Sequence, residues 1–143
     1  MGKRIVDSGK YTQVVCLDEV GAGNACHEYL VIVHNKTVPT VSELEAILDS
    51  DKKSIETMPD GSIVVPLGKI SFQNGPIQEN GTNGIQNEDL IAICIDRLQG
   101  FQSGKFACRE NANALTKLEE AMMWLRKRTA DREARGVEGK TII

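Results

Sequence analysis

The chain has 143 residues, 41% of them hydrophobic and 26% charged, with a formal net charge of −3. That is long enough for one domain with a real core, short for two, and ordinary for a soluble globular protein. It excludes a membrane-spanning helix, because no apolar run nears the ~20 residues a span needs. The N-terminus, MGKRIVDSGKY, has no apolar region of the signal-peptide kind.

The charge is unevenly spread. Residues 1–96 carry seven Lys/Arg against fourteen Asp/Glu, and residues 97–135 carry nine against five. This argues against a general nucleic-acid binder, which needs broad phosphate neutralisation, and leaves room for a local site for a small anion. Cys16, Cys26, Cys94 and Cys108 show no CxxC pair and no framework spacing, so they read as free, packed thiols.

In chain order, residues 1–9 read as a loose end. Residues 11–17 (YTQVVCL) are β-rich and predict a strand. Gly21 and Gly23 punctuate a turn, and residues 27–33 predict a second strand, so the pair forms an antiparallel hairpin. Ser42 with Glu45 at the capping-box position predicts a short helix over 42–48, and Pro59-Asp60-Gly61 a turn. Residues 62–65 and 69–73 are strand material, with Pro66 and Gly68 between them, and Asn74-Gly75-Pro76 ends it. Gly81, Asn83 and Gly84 make a tight loop.

Asn87 is a good N-cap, with Glu88 and Asp89 in the first turn of a helix over 88–99. Its Leu90, Ile91, Ile93, Cys94, Ile95 and Leu98 cover more than one face, which predicts burial on two sides. The run Gly100 to Gly104 breaks the chain before a long helix over 106–136. In that helix Leu115, Leu118, Met122 and Leu125 form one apolar stripe, Met123 and Trp124 widen it, and Gly136 stops it. The fold class is therefore α+β: a small N-terminal antiparallel sheet with a C-terminal αα-hairpin whose last helix is long. We expect one domain over 1–143, strands mainly within 10–73, a variable connection over 36–68, and the helical hairpin over 87–136.

The chemistry-bearing groups are few. Arg128, Arg132 and Arg135 share a helix face, beside Arg126 and Lys127. They form either a solvated basic helix end or an anion site, since guanidinium forks at that spacing grip phosphates bidentately. Phe101, in the Gly-flanked run GFQSG, either plugs a helix corner or stacks on a base. Asn111 is either a surface residue or a polar reader of a ligand edge. His27 and His34 have no partners at finger or helical spacing, so neither a metal site nor a catalytic set is expected. GAGNACHEY lacks the strand–loop–helix context of a phosphate loop, and the adjacent Glu119 and Glu120 diverge around the helix. The balance favours a binder over an enzyme, without cofactor or metal.

The runs FQNGPIQENGTNGIQNEDL, IDRLQGFQSG and FACRENANALTKLEEAMMWLRKRTADREARGVEG resemble the phage Thoeris anti-defence protein one family. They also resemble related anti-CBASS proteins that share the C-terminal helical pair, and KYTQVVCLDEVGAGNACHEYLV is similar to that family's N-terminal strands. The resemblance covers about two thirds of the chain. It implies a non-enzymatic sponge that holds the TIR-derived signal glyco-cyclic ADP-ribose intact, in the host cell cytoplasm, without membrane or polymeric nucleic acid. The family's ligand contacts fall on Phe101 (stacking on adenine), Asn111 (hydrogen-bonding the base or a ribose), and Arg128 and Arg132 (forked onto the pyrophosphate). It also implies a homo-oligomer, dimer to hexamer, with pockets at subunit contacts. A second site for cyclic trinucleotides would lie near Asn83, Gly84 and Arg109. Two other classes stay open: an enzyme that cleaves the signal, and a protein-binding inhibitor of the defence enzyme.

Overall fold

The structure is a computed structural model and describes residues 4–33, 56–57 and 63–142. The expected helix over 42–48, the turn at 59–61 and His34 lie outside the described residues. The chain divides into two compact units, Met1–Asn74 and Gly75–Ile143.

The first unit is antiparallel. Strands β1 (Arg4–Ser8), β2 (Thr12–Cys16), β3 (Glu28–Val33) and β6 (Pro66–Ser71) form one sheet in the order β1-β2-β3-β6. A short pair, β4 (Glu56–Thr57) and β5 (Ile63–Val64), forms a second. The predicted hairpin is β2–β3, in register with Val15 opposite Leu30 and Gln13 opposite Ile32. Alternation then sends Val15, Leu30 and Ile32 to one face, where they are buried with Val64 and Leu17 packs against them. Burial of each such side chain is worth about 1.5–3 kcal/mol. Gln13, on the same face, is buried with its Nε2 donating to Ser8 Oγ at 2.8 Å.

Two expectations change here. Residues 4–8, expected as a loose end, form an exposed edge strand paired with β2. Polar residues between Ile5 and Tyr11 hid its alternation, and pairing supplied what local pattern lacked. Pro66 and Gly68 do not interrupt a strand; both lie within β6. Pro66 is its first residue, opposite a register shift between Val31 and Ile32, where a missing N–H costs no regular ladder bond.

The second unit is helical: α1 (Ile77–Asn80), α2 (Asn87–Gln102) and α3 (Arg109–Ala134). The cap of α2 is Gln86, one residue before the expected Asn87. Its backbone N–H donates to Asp89 Oδ2 at 2.8 Å in a capping box. The helix continues through Gly100 to Gln102, because Gly100 keeps helical geometry within an already nucleated helix. The turn is residues 103–108, and α3 starts three residues later than expected, capped by Cys108 Sγ, which accepts the Asn111 N–H at 3.4 Å. Its stripe of Leu115, Leu118, Met122 and Leu125 packs as predicted, with Met122 buried and the leucines half-buried. The expected two-sided burial of α2 is not found. It has no buried residue, and its main packing partner is α3.

Gly136 ends α3 as predicted. Its φ is +72°, and the N–H groups of Gly136 and Val137 donate to the carbonyls of Glu133 and Arg132, a Schellman closure. No described helix is long and apolar enough to cross a membrane.

Candidate functional site in the helical hairpin

The hairpin carries its polar and aromatic groups at two ends. At the turn end, Phe101 lies in the last helical turn of α2, not in a corner loop. It is 39% exposed, and the Arg97 guanidinium sits over its ring at 5.5 Å. The turn is held by Ser103 Oγ donating to the Gly100 carbonyl at 2.7 Å and the Cys108 N–H donating to Gln102 Oε1 at 2.9 Å. Asn111 follows in the first turn of α3, half-buried. Phe101 and Asn111 thus flank one turn.

The basic end lies seventeen residues further along α3, about 26 Å on the helix axis. There Trp124, Lys127, Arg128, Asp131, Arg132 and Arg135 line a depression of about 420 Å³. Lys127 is paired with Asp131 at 2.6 Å. No carboxylate pairs with Arg128 among the described residues, and its side chain is exposed. Trp124 is 65% exposed, so it does not widen the buried stripe; it forms an aromatic wall one helical turn from Arg128. The sequence signal for this was the four-residue spacing of Trp124, Arg128 and Arg132.

Arg132 is differently placed. Its side chain is 13% exposed, and its guanidinium is engaged by the chain's own tail. Nε donates to Glu138 Oε2 at 3.0 Å, Nη1 to the Ile142 carbonyl at 2.8 Å, and Nη2 to the carbonyls of Val137 and Lys140 at 2.9 and 3.0 Å. The same tail reaches α1, where the Gln78 N–H donates to the Gly139 carbonyl and Gln78 Nε2 to the Glu138 carbonyl. Residues 137–142 are therefore a strap across the end of α3.

The structure therefore divides the four expected ligand residues into two pairs, Phe101 with Asn111 and Arg128 with Arg132. It likewise separates Asn83 and Gly84, in the loop before α2, from Arg109, the first residue of α3, by roughly the ~24 Å length of α2. A second depression, about 410 Å³, lies between the helices and is lined by Ile95, Asp96, Gln99, Glu119, Met123 and Arg126 among others.

In the sheet unit His27 is buried and its Nδ1 has no hydrogen-bond partner; it lies 3.7 Å from Asp18 Oδ2. Burial works to raise the Asp18 carboxyl, but the N–H groups of Glu28 and His27 and the Cys16 thiol together hold it below its ordinary value. Burial pushes the Cys16 thiol up. Of the four thiols, all free, only Cys16 is buried; Cys26 is half-buried and Cys94 and Cys108 are exposed.

Fold and site together define a helical-hairpin module with an aromatic turn and a basic, tail-strapped end. Residues 67–130 match the family model of the Acb2/Tad1 hairpin domain. A Bacillus phage SBSphiJ7 protein named Thoeris anti-defense 1 is 66% identical over 73 residues. That alignment covers 51% of this chain and 51% of the relative, so the match spans about half the length of either protein. The resemblance to the Thoeris anti-defence family read from the sequence is borne out by these two matches.

Proposed function

We propose that this protein is a phage anti-defence protein that binds a cyclic nucleotide signal and holds it intact. The ligand we favour is a glyco-cyclic ADP-ribose isomer, bound in the host cytoplasm. The observation that carries the reading is the exposed Arg128 beside the Trp124 wall, in a depression large enough for part of a dinucleotide. Cation and flat aromatic face are what a pyrophosphate with attached bases requires.

The separation of the two pairs bears on assembly. A dinucleotide is much shorter than ~26 Å, so one chain cannot bring Phe101 and Asn111 onto the ligand that Arg128 holds. A second copy, packed antiparallel, can. Met123 is 70% exposed, and Ile93, Phe106 and Trp124 are also open, which fits a hairpin that buries its apolar surface between subunits. An anion at Arg132 must replace the tail carbonyls, so Arg128 supplies the first charge pairing and strap release accompanies engagement of Arg132. Sequestering a micromolar signal needs about −10 to −12 kcal/mol of binding, hence an enclosed, two-copy pocket.

Titration calorimetry with the 1″–2′ and 1″–3′ isomers tests this. We expect tight binding of one isomer, weakened about 30-fold (~2 kcal/mol) in Arg128→Ala. Ligand recovered after heat denaturation should be unaltered. A cleaved product would instead indicate an enzyme, and absence of affinity for both isomers would overturn the reading.

A further inference from the structure

The segment between β2 and β3 folds back so that Cys16, the last residue of β2, meets Cys26, just before β3. Both thiols donate to one carbonyl, that of Asp18, at 3.3 and 3.6 Å. Cys16 Sγ is also 3.5 Å from Asp18 Oδ1, and the two sulfurs and a carboxylate oxygen all lie within 4.8 Å of one another. Zinc–sulfur bonds of ~2.3 Å and zinc–oxygen bonds of ~2.1 Å give a tetrahedral S–O edge of about 3.6 Å, close to the observed spacing. That edge already has the dimension of a metal site, and a modest closing of the other spacings would complete it.

A second, independent observation is His27. Its side chain is 7% exposed, and Nδ1 is buried without any hydrogen-bond partner, 3.7 Å from Asp18 Oδ2. Buried polar atoms are seldom left unpaired, and a metal ion is one partner that accepts an imidazole lone pair. We propose that Cys16, Asp18 and Cys26 bind one structural zinc ion that closes the end of the β2–β3 hairpin, and that the His27 ring, which lies outside this three-residue cluster, shifts to bring Nδ1 in as fourth donor.

The surroundings suit it. The N–H groups of His27 and Glu28 donate to the Asp18 carboxylate at 2.9 and 3.1 Å and fix its orientation, as outer-shell bonds do around metal ligands. On binding, each thiol releases its proton to solvent. Two thiolates, a carboxylate and a dication leave one net negative charge, and the Arg4 guanidinium lies 3.8 Å from Cys26 Sγ to balance it. Two sulfurs with one imidazole and one carboxylate favour zinc over calcium or magnesium, which take oxygen.

The test uses the full chain, purified under reducing conditions without chelator, and elemental mass spectrometry. We expect about one zinc per chain, falling to about one-tenth or less in Cys26→Ser and unchanged in Cys94→Ser. Cys26 is half-buried, so its serine variant is the gentler of the two thiol changes. Cobalt(II) binding by the unaltered protein is a second readout, independent of any variant's folding. A tetrahedral visible spectrum with sulfur-to-cobalt charge transfer supports the site. Absence of both metals, zinc retained in Cys26→Ser, or a Cys16–Cys26 disulfide under these conditions would overturn it.

Discussion

The sheet unit and the hairpin unit bury their apolar residues by different means. In the sheet, alternation along β2 and β3 places Val15, Leu30 and Ile32 on one face, and Val64 joins them in a closed cluster. In the hairpin, α2 and α3 are longer and each carries an apolar stripe, yet only Met122 is buried. Two helices meet along one seam, whereas sheet neighbours share a whole face. The sheet therefore completes a core within its own residues, while the hairpin keeps aromatic and thioether groups available to a partner.

Leu30→Ala should have the largest effect. We expect about 3 kcal/mol lost in denaturant melts followed by far-ultraviolet circular dichroism. A loss under ~1 kcal/mol would remove the contrast, because the sheet core would then be no tighter than the hairpin seam. Arg132→Ala comes next. It frees the strap and leaves Glu138 unpaired, so it should cost about 1.5 kcal/mol and speed proteolytic trimming of residues 137–142. Unchanged trimming would mean that the strap is held by its α1 contacts instead.

Gly136→Ala should cost about 1 kcal/mol in the same melts, because its φ of +72° disfavours a Cβ. A smaller loss would show the Schellman closure tolerating rearrangement. Met123→Ser sharpens the comparison from the other side. Its side chain is open in the single chain, so the melt at low concentration should move by no more than ~0.5 kcal/mol. Light scattering at high concentration should nonetheless report a smaller average mass than for the unaltered protein. No change of mass would remove Met123 from any subunit contact.

Much of the fold was legible because its signals are local. The β-rich runs and their Gly turn predicted the β2–β3 hairpin, and the three-four spacing of Leu115, Leu118, Met122 and Leu125 predicted the α3 seam. The misses share a cause. β1 has little alternation of its own and exists through its pairing with β2. Gly100 looked like a break, but helix propagation through one glycine costs only about 1 kcal/mol. The two-sided burial of α2 assumed a second covering layer, which the described residues do not supply. Of the candidate site, Arg128 and its face were readable from spacing. The exposure of Trp124 was not, since a tryptophan at helical spacing reads equally well as core. Cys16 and Cys26 lie ten residues apart, at no finger spacing, and their meeting depends on how residues 17–27 turn.

The sequence by itself determined the α+β class, the order of sheet and hairpin, the glycine stop of the long helix, and the helix face that carries the arginines. These follow from periodicity and end signals within a few residues of one another. Tertiary structure alone decided that Arg132 is held by the tail while Arg128 and Trp124 stay exposed beside it. It alone decided that two thiols, a carboxylate and an imidazole gather at one end of the sheet. Periodicity says which side chains share a face; only the folded chain says what that face meets.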